Sequence, residues 1–269
     1  MARDGMAGRR ALPGSATLQG ELWSARAVDW ARLQEPRQRT LYRTAFEALS
    51  LGAGTSVLDV GCGSGLALRE AADRGADVAG LDASEALVDI ARRRLPGVDV
   101  RVGELEDLPF ADGAFDLVTG FNAFGYAARP VMALREAARV VRVGGCVLMM
   151  MSGFPENAAA MGRAAAIDVP RRPRALQVPP EGMLSERIAD AGLVPVYETS
   201  VPCSFRYPNV EVAVRALLSA GVVVRATRHA RIDAAAAAIR DRLAHAIGAD
   251  GSVEIWTTAR YAVGERRGG

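Results

Sequence analysis

The stretch Val57-Leu-Asp-Val-Gly-Cys-Gly-Ser-Gly65 reads as a buried strand running into a glycine-rich turn and then a helix. Val57–Val60 is a short apolar run, and Leu66–Asp73 has helical spacing. Glycines at 61, 63 and 65 allow a tight turn and let a ligand approach bare backbone. The helix that follows offers unpaired N–H groups to a carboxylate or phosphate. A dinucleotide fingerprint requires GxGxxG, yet Leu66 stands where its third glycine belongs, which argues against a nicotinamide oxidoreductase. Asp59, two residues before Gly61, would repel a pyrophosphate and suits a ligand carrying an ammonium group. Asp82 ends the next apolar run, 23 residues after Asp59, where a carboxylate can accept from a ribose diol. Adenosine joined to an amino acid fits the two acids better than NAD does.

Outward from this motif, short apolar runs alternate with amphipathic stretches. Strands are expected at Val78–Leu81, Val98–Val102, Phe115–Thr119 and Cys146–Met151, and helices at Glu85–Leu95 and Val131–Val141. Such alternation predicts an α/β fold with a parallel sheet covered on both faces. Residues Leu18–Leu49 are helical in pattern and carry Trp23, Trp30, Tyr42 and Phe46. Beyond Met151 a helical stretch near Asn157–Ile167 precedes the Pro/Arg segment Val169–Pro180. A helix at Glu181–Ala191, a strand at Val194–Val201, two helices within Asn209–Gly248 broken near Gly221, and a strand at Val253–Val263 complete the chain. The expected organisation is one domain. Residues 1–49 form an N-terminal tail and lid helices, and residues 50–151 the cofactor-binding core. Residues 152–269 supply the C-terminal half of the sheet, with cap insertions at about 152–180 and 208–248.

Composition narrows the function. The chain has 269 residues, a formal net charge of +2, and 33 basic residues that are all arginine. Near-balance disfavours a nucleic-acid surface, and the arginines on the outer helices (Arg69, Arg74, Arg92 to Arg94, Arg135, Arg139) read as solvated faces. Without lysine there is no Schiff base and no P-loop. Three cysteines with no CxxC pairing and only two histidines argue against a disulfide framework and against a metal site. The longest apolar run, Val143 to Met151, is too short for a membrane span, and no leader is read, so a cytoplasmic setting is expected.

At this point the chain resembles the class I S-adenosylmethionine-dependent methyltransferases, in particular the ubiquinone-biosynthesis-like (methyltransferase type 11) small-molecule subgroup. VLDVGCGSG is similar to the family's first motif, and GLDAS supplies its ribose-binding acid. GELEDLPFADGAFDLV at 103–118 and REAARVVRVGG at 135–145 are similar to its later motifs. The resemblance covers about residues 50–151. It implies a Rossmann-like, doubly wound seven-stranded sheet, mostly parallel with the last strand antiparallel, plus a helical cap. It also implies S-adenosylmethionine as cofactor and S-adenosylhomocysteine as product.

Carried over by position, Gly61, Cys62 and Gly63 would contact the methionine part. Asp59 would face its amino end, and Asp82 with Ala83 the ribose. Glu104, where the family has aspartate, would accept from the adenine amino group, with Leu105 offering its backbone N–H. Phe121 and Asn122 would line the methyl-donor side. From spacing alone, Trp23 and Trp30 share a helix face that either packs the N-terminal helix on the core or covers the cofactor or substrate as a lid, two roles that are compatible. Glu106 and Asp107 read as solvated loop acids, and Cys62 as a small residue tucked beneath the loop. If the acceptor needs a base, His229, flanked by arginines, and Tyr126 are the catalytic candidates; His245 reads as a helix-end complement.

After the fourth expected strand the chain reads GFNAF (120–124), with no [DN]PP[YF] tetrapeptide and no Pro-Cys nucleophile in that region, and no acid cluster is located at the top of the sheet, so the acceptor is expected to be a small molecule methylated at O, N or C, as in secondary metabolism. No nucleic-acid or membrane partner is expected, and a homodimer is left open. The alternative is an enzyme that keeps the cofactor but catalyses a cyclisation or decarboxylation.

Overall fold

The computed structural model describes residues 14–153, 179–227 and 232–268. Its seven strands are β1 (Ser56–Val60), β2 (Asp77–Asp82), β3 (Asp99–Val102), β4 (Phe115–Phe121), β5 (Val141–Ser152), β6 (Val194–Tyr207) and β7 (Val253–Glu265). They form one sheet in the order β3-β2-β1-β4-β5-β7-β6. β1 to β5 pair in parallel, and β7 runs antiparallel to both β5 and β6. The order reverses between β1 and β4, which opens a crevice at the carboxyl ends of those strands.

Strand alternation divides the core into two layers. Val57, Leu117, Leu148 and Met150 face one cluster, together with Leu41, Tyr42 and Phe46 of α3 (Arg39–Ala48). Leu58, Val60, Val118, Val147 and Met149 face the other, against α6 (Pro130–Val140) and α7 (Met183–Asp190). α4 (Leu66–Ala72) and α5 (Glu85–Arg94) enclose a third cluster around Leu68, Val88 and Ala91. The doubly wound, seven-stranded expectation therefore holds, including the single antiparallel strand.

Three boundaries differ from those expected. β6 runs six residues past Val201, through Pro202; as an edge strand it pairs only with β7 and tolerates a residue that cannot donate. β5 starts at Val141, which pairs with Phe115 before a register shift. The single helical run expected over Leu18–Leu49 is broken into α1 (Ala16–Ser24), a short α2 (Ala27–Asp29), a π-helical turn at Trp30–Gln34, a 3₁₀ turn at Glu35–Gln38, and α3. Arg26, with φ −137° and ψ 34°, interrupts the run between α1 and α2, and Pro36, which has no N–H to continue the ladder, accounts for the change to a 3₁₀ turn before α3. In the C-terminal part the break near Gly221 is present: α8 (Val210–Leu218) is followed by α9 (Gly221–Thr227) and then α10 (Ile232–Leu243). Asn209 caps α8 by accepting from the Val212 N–H at 2.9 Å. The stretch 157–167, Arg171, Arg172, Arg174 and His229 lie outside the described residues. Among the described residues no helix is long and apolar enough to cross a membrane.

Candidate active site

The turn after β1 lies at the point where the strand order reverses. Gly61, Gly63 and Gly65 have φ of 70°, 54° and 82°, in the left-handed region that favours glycine. At Gly61 the approach is also close: a Cβ there would come within 2.5 Å of the Ala123 Cβ. The turn is pinned by the N–H groups of Gly61 and Cys62, which both donate to the Leu81 carbonyl. Cys62 is buried beneath it, its Sγ against Gly80, and burial pushes its thiol well above the ordinary range.

Two carboxylates flank the turn. Asp59 is buried on β1 beside Thr119 of β4, whose hydroxyl donates to it at 2.7 Å. Burial pushes its pKa up to about 7 against that hydrogen bond, and the nearby charges of Asp82 and Glu35 add to the rise. Asp82, at the end of β2, accepts from the Gly63 and Ser84 N–H groups, each at 2.8 Å. Burial again raises its pKa, to about 6, although those N–H groups oppose the rise. Neither acid faces a cationic side chain among the described residues. Both keep lone pairs for a ligand's ammonium and hydroxyl donors, and a negative charge here is stabilised when such donors arrive.

The broken N-terminal helices close over these acids. Gly20 of α1 lets the helix pass so near the β2–α5 turn that a Cβ would lie 2.5 Å from the Ala83 carbonyl oxygen. Ser24 and Ser84 share a hydrogen bond at 2.8 Å, and the Ala16 N–H donates to Glu104 at 2.7 Å. Trp23 packs edge-to-face on Trp30 at 4.7 Å and on Tyr126 at 5.7 Å, forming an aromatic wall. Glu35, from the 3₁₀ turn, accepts from the backbone N–H and the hydroxyl of Ser64 and from Arg94 at 2.7 Å. The lid is thereby tied to the first N–H groups of the glycine turn.

These elements surround a cleft of about 790 Å³. Asp59, Gly61, Cys62, Gly63, Asp82, Ala83, Glu104, Leu105, Phe121, Asn122, Trp30 and Tyr126 all line it, so the structure brings the expected cofactor residues together with one of the two catalytic candidates. Desolvation raises the Tyr126 phenol well above its ordinary value, so it stays protonated and is a donor rather than a base near neutral pH. His245 is exposed on a 3₁₀ turn away from the cleft lining, and His229 lies outside the described residues. Phe121 is held by edge-to-face contacts with Tyr42 and Phe46, and Asn122 adopts φ 55° with its side chain bonded to Ser152.

Two expectations need correction. Glu106 is not a solvated acid: its side chain is 2% exposed and pairs with Arg129 at 2.6 Å, because the loop folds back on the N-terminus of α6. Arg94 does not lie on a solvated face, since it reaches across to buried Glu35. Glu35, Gln38 and Tyr42 also line the cleft and were not expected there. The available signal was Pro36, which marks an irregular turn at Glu35–Gln38, and the apolar face of α3 that Tyr42 shares with Leu41, Ala45 and Phe46.

Residues 58–149 match the family model of the methyltransferase domain. The chain belongs to this methyltransferase family. Nocamycin O-methyltransferase of Saccharothrix syringae is 30% identical over 261 residues, which cover 85% of this chain and 91% of that one. Demethylmenaquinone methyltransferase of Renibacterium salmoninarum is 35% identical over 113 residues, covering 42% of this chain and 48% of that protein. The chain spans about a third to a half of the length of the curated relatives that head the comparison. Among solved structures, a SAM-dependent methyltransferase from Aquifex aeolicus superposes with a TM-score of 0.52 at 22% identity, over 65% of this chain and 92% of that one.

Proposed function

We propose that the chain binds S-adenosylmethionine in this cleft and directs its methyl group to a small-molecule acceptor. The observation that carries the proposal is the pair Asp59 and Asp82, two buried acids without a cationic partner on either side of a bare-backbone turn. The residues fit the cofactor: Asp59 would hold the amino end, Asp82 the ribose hydroxyls, and Glu104 with the Leu105 N–H the adenine edge. The bound cofactor supplies a sulfonium methyl that is displaced in line. The chain's part is to align the acceptor and exclude water, which the lid helices and the aromatic wall are placed to do.

Asp82→Ala should weaken S-adenosylhomocysteine binding by on the order of 10–100-fold in calorimetry, the loss of charge-assisted hydrogen bonds, with the fold retained and the unfolding temperature lowered because the Gly63 and Ser84 N–H groups lose their acceptor. Unchanged affinity would show that the ribose is held elsewhere. Turnover of labelled S-adenosylmethionine to S-adenosylhomocysteine separates methyl transfer from a non-methylating use of the same cofactor.

A further inference from the structure

Past the aromatic wall the cleft continues into a second, smaller pocket that opens to solvent. Its apolar lining comes from Trp23, Trp30, Phe205 and Leu217, and its polar lining includes Gln34 and Gln38. Among its described lining residues there is no carboxylate, histidine or arginine. Asn122 and Ser152, also at its edge, are bonded to each other.

The two glutamines are held in one sense. The Tyr207 hydroxyl donates to Gln34 Oε1 at 2.8 Å, and the Tyr42 hydroxyl donates to Gln38 Oε1 at 3.2 Å. Burial raises both phenols above their ordinary range, so both remain donors and keep each amide oxygen turned toward its tyrosine. The amide nitrogens are left with the cavity, and among the described residues neither meets an acceptor. Gln34 and Gln38 are 2% and 5% exposed. Neither nitrogen is among the buried atoms left without a partner, so each keeps accessible surface and its N–H groups are free to donate to a bound acceptor.

Resting on the methyl-transfer reading, we propose that this cavity takes an oxygen acid that arrives already ionised, a carboxylate or an acidic enol on an apolar body, and that the N–H groups of Gln34 and Gln38 hold it. An oxygen lone pair forms the new O–CH3 bond while the S–CH3 bonding pair returns to sulfur. The anion and the sulfonium both become neutral, and no proton has to be removed in the cavity. An ammonium-bearing acceptor would find no carboxylate here to balance its charge, and a neutral alcohol would need a base that the described lining, whose Tyr126 phenol stays protonated, does not supply.

Calorimetry on the protein saturated with S-adenosylhomocysteine tests this near neutral pH with naphthoate and its neutral amide, and with an acidic hydroxycoumarin and its methyl ether. At least one anion should bind about tenfold or more tighter than its neutral counterpart, as charged hydrogen bonds require. Gln34→Leu should remove that preference while S-adenosylhomocysteine affinity holds. A preference for naphthoate alone identifies the carboxylate as the source, and one for the coumarin alone the enol. Equal binding of anion and neutral probe, binding of neither, or a preference that survives Gln34→Leu would overturn the proposal. If Gln34→Leu no longer binds S-adenosylhomocysteine, Tyr207→Phe, which keeps the amide and removes only its anchor, gives the same comparison. Failure of the wild-type protein to bind S-adenosylhomocysteine would instead overturn the cofactor reading itself.

Discussion

Asp59 and Asp82 carry a pH signature. Their values are raised to about 7 and about 6, so near pH 5 each holds a proton that a ligand with ammonium and hydroxyl donors must displace. S-adenosylhomocysteine affinity should therefore rise from pH 5 to about 8 and then level off, with proton release measurable by calorimetry in buffers of different ionisation enthalpy. A flat affinity across that window would remove both acids from the site. The unliganded protein should show the opposite slope. A carboxyl raised above its unfolded value binds more protons folded than unfolded, so stability falls as pH climbs from about 4 toward 7. Glu35 is a separate case, since its side chain is 3% exposed and holds both Ser64 and Arg94. Glu35→Ala leaves Arg94 facing a half-closed site without its carboxylate and should cost about 3–5 kcal/mol in chemical denaturation, the usual loss when one partner of a buried pair is removed. A loss below about 1 kcal/mol would mean that the pair is solvated.

At the level of elements, α1 is seated by contacts that only small side chains allow. Gly20 touches the Ala83 carbonyl, and Gly221 of α9 lies against the Trp23 ring. Gly20→Val should lift α1 from the β2–α5 turn and raise the S-adenosylhomocysteine Kd by about tenfold, with faster dissociation in stopped-flow. Dissociation at the wild-type rate would show that α1 does not cover the ligand. The strand–turn–helix from Val57 to Ala72 was legible in the sequence because all its determinants are local: β-branched residues, three glycines at fixed spacing, and an acid before them. The lid was legible only as a helical pattern. Its inward side chains depend on the π-helical turn and Pro36, and Gln34 gains its orientation from Tyr207, 173 residues away in sequence. The reach of β6 past Pro202 was hidden for a similar reason, since its edge position is a property of the whole sheet.

Across the whole molecule, the sheet places β1, β2 and β4 side by side, so that Asp59, Asp82 and Phe121 converge from residues far apart in the chain. Broken helices from the N-terminus close that convergence, and α8 and α9 support them from the far side of Trp23 and Trp30. Strand order and direction were legible from the alternation and from the family motifs. The division of the cleft into an acidic half and a neutral, aromatic half was not, because it depends on which lid residues the turns point inward. A crystal structure with S-adenosylhomocysteine tests the central claim most directly. The ribose hydroxyls should lie within hydrogen-bonding distance of Asp82, the amino group on the Asp59 side, and the sulfur toward Phe121 and Asn122. A ligand seated elsewhere, or a ribose turned away from Asp82, would contradict it.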